Sequence, residues 1–178
     1  MGFRFSVYRK HTAEDQNRCL CSRSEIDSAR ATLAGCWQTT MLIHKKEIHI
    51  EWGDCDPFGI VFFPRYFEYF DACTNALFRQ ALGIKKAEML AHYKIAGIPL
   101  VHASCNFIVP SSFGDVVQVA SCVTEWGSSS FQVQHRLYRG EMLAVEGMEK
   151  RVWTIRQADG PRRFSGAAVP EEVKARFA

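Results

Sequence analysis

Between residues 53 and 64 the chain gathers, within a few positions, the residue types that acyl chemistry needs. Gly53-Asp54-Cys55-Asp56-Pro57-Phe58-Gly59 reads as a turn, because Asp before Pro starts one and Gly tolerates positive φ. Asp56 places a carboxylate in this stiff segment, and Pro64 opens a helical pattern just beyond it. Val61, Phe62 and Phe63 precede Pro64, so no Ser, Thr, Asp or Asn stands at the helix cap. The first free N–H groups and the positive dipole end then lack a local acceptor. Water would satisfy them, or a ligand developing negative charge. An aspartate of ordinary pKa, about 3.9, is ionised at neutral pH, and beside such a helix end it suits acyl transfer. Asp54 and Asp56 equally suit plain turn closure, and residue types alone leave both readings open.

The elements that must position these groups follow from periodicity. Ile48, Ile50 and Trp52 alternate with Glu47, His49 and Glu51, which predicts a strand ending at Gly53. A helix is predicted from Pro64 to about Leu82, stopped by Gly83. At about 100° per residue its apolar face holds Tyr66, Tyr69, Phe70, Cys73, Ala76, Leu77 and Ala81, widened by Phe67 and Phe78. Glu68, Asn75 and Arg79 leave only a narrow polar strip, with Asp71 at its edge. A helix so broadly apolar must be wrapped on several sides. After a short helical stretch from about Lys85 to Tyr93, strands are predicted over 98–109, 116–126, 131–139 and 142–157. The third alternates as Phe131, Val133, His135 and Leu137. A last short helix begins at Pro170. The expected class is α+β, an antiparallel sheet curled around one long central helix.

Composition narrows the function classes. The chain has 178 residues, 47% of them hydrophobic, and a net charge of +3. That is globular material, and a balance so near neutral argues against a nucleic-acid partner. Apolar runs fall short of the ~18 residues that would cross a bilayer, so no membrane partner is expected. Seven cysteines in no paired framework, without an apolar signal segment, predict thiols and a cytoplasmic location. No metal site is expected: Cys19-x-Cys21 has the wrong spacing for zinc, and His44, His49, His92, His102 and His135 have no ligand spacing. Neither a Gly-x-Ser-x-Gly elbow nor a phosphate-binding Gly-rich loop occurs. Cys55 would point away from the side that Asp56 faces in an extended segment. Residues 1–40 show no sustained period and are expected to be a loosely attached, disordered tail or the product of a misassigned start. The domain is expected over residues 41–178.

The run Ile50-Glu51-Trp52-Gly53-Asp54-Cys55-Asp56-Pro57-Phe58-Gly59-Ile60-Val61-Phe62-Phe63-Pro64-Arg65-Tyr66 resembles the signature of the 4-hydroxybenzoyl-CoA thioesterases, a hotdog-fold family. The likeness continues through Asp71-Ala72, Ser104-Cys105-Asn106 and Glu125-Trp126, and covers residues 45–157. It implies a sheet around a central helix, and a homodimer that assembles to a homotetramer with active sites at the dimer interface. It implies Asp56 as the catalytic aspartate and the backbone N–H of Phe63, where relatives often carry Tyr, as the oxyanion donor. It also implies Asp71 as the contact to the ring hydroxyl of a hydroxybenzoyl group. Phe58, Phe62, Phe63 and Tyr66 favour an aromatic or small acyl group. The expected reaction is hydrolysis of an aromatic or short acyl-CoA to the free acid and CoA, with Asp56 as nucleophile or general base. It needs no cofactor, since coenzyme A is part of the substrate. The alternative is a non-catalytic acyl-CoA-binding module, against which the charge of Asp56 counts. A dehydratase would want a His with a helix carboxylate, and His102 with Asp71 is the candidate pair. Where family members can place basic residues after Glu-Trp, this chain has Gly127, Ser128 and Ser129. CoA phosphate contacts would then fall to Arg136, Arg139, Arg162 or Arg163, unless these are a solvated surface.

Overall fold

The computed structural model describes residues 41–157 and 163–178, so the expectations for residues 1–40 and for Arg162 lie outside the described residues. The described elements are β1 (His44–His49), a 3₁₀ turn (Trp52–Asp54), α1 (Pro64–Leu82), α2 (Lys86–His92) and β2 (Leu100–Phe107). They continue as β3 (Val116–Trp126), β4 (Ser130–Arg139), β5 (Met142–Val152), β6 (Thr154–Arg156), β7 (Phe164–Gly166) and α3 (Glu171–Ala175). Five strands form one antiparallel sheet in the order β1-β3-β4-β5-β2, and β6 pairs with β7 separately. The expected α+β class holds.

α1 runs over the predicted residues. Pro64 sits in its first turn, and Gly83 ends it at φ 72° with its N–H donated to the Arg79 carbonyl at 2.9 Å. One end of its buried face, Tyr66, Phe70 and Cys73, packs with Val117, Val119, Leu137, Ala144 and Val145 of β3, β4 and β5. The other end, Leu77 and Phe78, packs with Val123, Phe131, Val133 and Trp153, closed by Val173 and Phe177 near α3. Side chains alternate across a strand, so these inward positions define the face that carries the helix, with Ala144 joining Val145 where the register of β4 and β5 shifts.

Two predicted strands are corrected. β1 lies earlier than the alternation of Ile48, Ile50 and Trp52 suggests. The Glu51 N–H donates to Asp54 Oδ2 at 2.9 Å and closes the 3₁₀ turn, which turns Trp52 out to 78% exposure beside Phe113. Ile50 stays buried but exchanges backbone bonds with Gly114 and Asp115 instead of continuing the ladder. The predicted strand over 142–157 breaks at Trp153. Its N–H turns to the Ser129 carbonyl at 2.8 Å, its ring is buried against Tyr93, and the chain then pairs with β7.

Between α1 and the sheet lies a buried polar cluster. Ser121, His135 and Gly147 form one cross-strand row, and Val133 and Glu149 the next. His135 Nδ1 lies 2.8 Å from Ser121 Oγ and its Nε2 3.4 Å from Glu149 Oε2. The Thr74 hydroxyl of α1 donates to Glu149 Oε2 at 2.7 Å, and Arg151 Nε donates to the same oxygen at 2.9 Å. Phe70 stacks on the His135 imidazole with ring centroids 4.6 Å apart. Burial pushes the His135 pKa below its usual value against the pull of Glu149, so the ring is neutral. Burial would raise Glu149, but hydrogen bonds from His135 and Arg151, with the Arg151 charge, override it and hold the carboxyl at about 2.

Two outcomes follow from this packing. A Cβ on Gly147 would come within 2.3 Å of the Phe70 ring. Gly147→Ala is therefore expected to cost about 1–3 kcal/mol, read as a lower urea midpoint, and an unchanged midpoint would contradict the close fit. For both titrating groups the unfolded chain binds more protons than the folded one. The His135 contribution is complete above about 6.5 and declines below it. The Glu149 contribution is complete above about 4.5 and is lost as pH falls toward 2. The thermal midpoint should thus fall from neutral pH into acid, and between about pH 5 and 3 it should fall less steeply in Glu149→Gln than in the wild type.

Candidate active site

The segment bearing Asp56 folds back on itself as a three-residue hairpin. The Asp56 N–H donates to the Ile60 carbonyl at 2.9 Å, the Gly59 N–H to the Asp56 carbonyl at 2.9 Å, and Cys55 bridges Val61. Pro57 suits the first central position of the turn, and Gly59 takes φ 78°, a conformation that disfavours other residues. Asp56 Oδ1 accepts the Phe58 N–H at 2.8 Å, so one carboxylate oxygen does close the turn. Among the described residues no cation pairs with Asp56, and its other oxygen is not engaged. Turn closure and availability for chemistry therefore coexist in one side chain.

Asp54 is spent differently. Its Oδ2 caps the 3₁₀ turn, and its Oδ1 lies 3.6 Å from Arg65 Nε. Cys55 faces the core cluster around Ile50, Val61 and Tyr66, away from Asp56 as expected for neighbouring extended residues.

The hairpin feeds directly into α1. The Phe62 N–H donates to the Asp54 carbonyl and the Val61 N–H to the Ser111 carbonyl, both at 2.8 Å. At the helix start the Arg65 N–H turns back to the Phe62 carbonyl and the Tyr66 N–H to the Phe63 carbonyl, at 2.9 and 3.2 Å. Pro64 has no N–H. No side chain caps the helix, and the Phe63 N–H meets no acceptor among the described residues. One donor thus stands open at the positive end of a 19-residue helix, on the same rigid segment as Asp56.

Around this junction Phe58 is 90% exposed, and Phe62 and Phe63 are also exposed, their rings edge to face at 5.3 Å. Tyr66 is not exposed. It is buried among Ile50, Val61 and Phe70, with its ring 5.5 Å from that of Phe107. Burial raises the Tyr66 phenol's pKa, and Tyr69 is raised by burial and then by neighbouring Asp54.

Asp71 stands about two turns further along α1. Its Oδ1 accepts from Arg151 Nη2 at 2.6 Å and its Oδ2 from Asn75 Nδ2 at 3.0 Å. Asp71 therefore pairs with Arg151 rather than with His102, which is exposed on the sheet edge. Arg136, one of the residues expected as a phosphate contact, is buried and lies 3.4 Å from Glu146. Arg139 donates to the Pro110 carbonyl at 2.9 Å and lies 3.5 Å from Asp115, while Arg163 remains exposed. Thr74, Glu149 and Arg151 were not singled out by motif. For Glu149 and Arg151 the signal is strand alternation, since Val145, Gly147, Glu149 and Arg151 occupy one face of β5 opposite the face-mates of His135 on β4, whereas Thr74 lies on α1.

Known proteins resemble this chain in sequence and in fold. The sequence model of the Thioesterase-like superfamily matches residues 50–177. A 4-hydroxybenzoyl-CoA thioesterase of Pseudomonas sp. strain CBS-3 is 34% identical over 118 residues, which is 64% of this chain and 82% of that protein. The structure of 4-hydroxybenzoyl CoA thioesterase from the same strain superposes with a TM-score of 0.68 at 27% identity, covering 75% of this chain and 98% of that one. An aspartate-to-asparagine variant of 4-hydroxybenzoyl CoA thioesterase, complexed with 4-hydroxybenzoyl CoA, matches with the same TM-score of 0.68 at 27% identity, covering 76% of this chain and 99% of that one. A gentisyl-coenzyme A thioesterase is 30% identical with a TM-score of 0.62, covering 75% of this chain and 98% of that one. This chain belongs to the Thioesterase-like superfamily, a thioester hydrolase on the hotdog fold.

Proposed function

We propose that the chain hydrolyses an aryl-CoA thioester of the hydroxybenzoyl type: acyl-CoA and water give the carboxylic acid and CoA. The observation that carries this is the carboxylate of Asp56, without an ion partner among the described residues, fixed on the hairpin that leads to the Phe63 N–H, which meets no acceptor among them. The Phe63 N–H and the dipole of α1 stabilise the oxyanion as the thioester carbon becomes tetrahedral. Asp56 either attacks that carbon, forming a mixed anhydride and releasing CoA thiolate before water cleaves the anhydride, or removes the proton of the attacking water. Aspartate and water complete either route, so no cofactor is required. Phe58 and Phe62 supply apolar wall, Tyr66 is buried in the core beside Val61, and Asp71 accepts a hydrogen bond from the ring substituent. The named substrates of the related thioesterases, 4-hydroxybenzoyl-CoA and gentisyl-coenzyme A, carry such ring hydroxyls.

The site is completed in a homodimer, and dimers assemble as tetramers. In support, β2 is an edge strand paired only with β5 among the described residues, and it exposes Leu100, Val101 and Phe107. A cytoplasmic setting fits the cysteines Cys55, Cys73, Cys105 and Cys122, which stand as thiols; burial raises Cys73 and Cys105 to about 11.

Asp56→Asn tests the assignment. It keeps the size and much of the hydrogen-bonding shape of the side chain but removes the charge. Its kcat for 4-hydroxybenzoyl-CoA should fall at least about 100-fold, with fold and CoA-ester binding retained. Near-normal turnover, followed by thiol release, would refute the role given to Asp56, and binding without thiol release by the wild type would favour an acyl-CoA-binding module.

A further inference from the structure

The charged cluster under α1 reaches the surface at Asp71. Arg151 has a side chain only 3% exposed, yet its guanidinium is held on three sides. Nε and Nη2 donate to the two oxygens of Glu149 at 2.9 and 3.0 Å, Nη1 donates to the Ile98 carbonyl at 3.2 Å, and Nη2 also reaches Asp71 Oδ1. A guanidinium presents its donors in a rigid plane, so these bonds leave it little freedom to move. Asp71 in turn is pinned at both oxygens, by Arg151 and by Asn75, whose amide is also tied to the Asp71 carbonyl at 2.9 Å. Its side chain is nevertheless 53% exposed, and each oxygen retains a lone pair.

The charges do not cancel. One cation, Arg151, faces two carboxylates, Glu149 and Asp71, and His135 is neutral. The surplus negative charge has its exposed end at Asp71. Such a group welcomes a hydrogen-bond donor and rejects an acceptor or an anion. We propose that Arg151 is a positioning residue that fixes Asp71 as an oriented acceptor, and so makes the enzyme select aroyl groups bearing a hydroxyl or amino donor on the ring. This rests on the reading above that Asp71 meets the acyl group. With Arg151 absent, Asn75 alone holds the Asp71 carboxylate, at one oxygen, and the donor must complete its ordering on binding.

The test compares kcat/KM for 4-hydroxybenzoyl-CoA, benzoyl-CoA and 4-methoxybenzoyl-CoA, the last an analogue that cannot donate. The wild type should favour the hydroxyl compound over both others. Arg151→Met should shrink that preference about tenfold, chiefly by raising KM for the hydroxyl compound, and Arg151→Lys should restore part of it, since one ammonium can still meet Asp71. A purely structural role for Arg151 would depress all three substrates together. Should Arg151→Met fail to fold with Glu149 left unpaired, the double variant Glu149→Gln with Arg151→Met removes the stranded charge and is read in the same way. If Asp71→Ala abolishes the preference while the Arg151 variants keep it, the inference about Arg151 is overturned and the role of Asp71 stands. If the wild type shows no preference, or Asp71→Ala leaves it intact, the reading of Asp71 falls and the inference falls with it.

Discussion

How the chain enters α1 decides what the site can do. Three backbone bonds, Asp56 N–H to Ile60, Phe62 N–H to Asp54 and Val61 N–H to Ser111, clamp the hairpin to itself and to the loop before β3. Pro64 then forces the first helical residue without offering a donor, and the tightened first turn consumes the N–H groups of Arg65 and Tyr66. What remains is a carboxylate and an open amide at the helix start, carried on one segment. An unpaired N–H at a helix end is tolerable in water. In the proposed reaction a developing anion replaces that water, and a preorganised donor spends no energy on reorientation.

The second constraint lies beneath the helix. Burying Glu149 and Arg151 carries a desolvation cost that their mutual attraction recovers only with good geometry and further hydrogen bonds. The side-on pairing, the Thr74 hydroxyl and the Ile98 carbonyl supply both. Well-packed apolar side chains could fill the same volume at no loss of stability, so stability alone does not explain the pair. Under the role proposed for Arg151, its connection to half-exposed Asp71 supplies a functional reason, since a guanidinium anchored from below is a firmer support than a mobile surface cation.

Much of this was legible in the sequence. The aromatic breadth of α1 and the alternation of the later strands gave the α+β architecture, and the turn chemistry of 54–59 with the uncapped Pro64 start marked the junction. Two kinds of information were hidden. Ile50 and Trp52 continue an alternating pattern on paper, but the Asp54 side chain captures the Glu51 N–H and ends the ladder early, a competition that periodicity does not register. Trp153 likewise belongs to an apolar stretch, and only its backbone partner, Ser129, reveals the break. The polar cluster was missed because each member taken singly reads as ordinary: one His on an apolar face, one Thr on a helix, one Glu and one Arg on a strand. Only the register that sets β4 against β5, with α1 above them, turns four separate residues into one network.

A crystal structure of the Asp56→Asn protein with 4-hydroxybenzoyl-CoA bound addresses the central claim most directly. The account predicts the thioester carbonyl oxygen about 3 Å from the Phe63 amide, with the residue 56 side chain facing the carbonyl carbon or a water beside it. A thioester bound elsewhere, with the Phe63 N–H pointing to solvent, would contradict it.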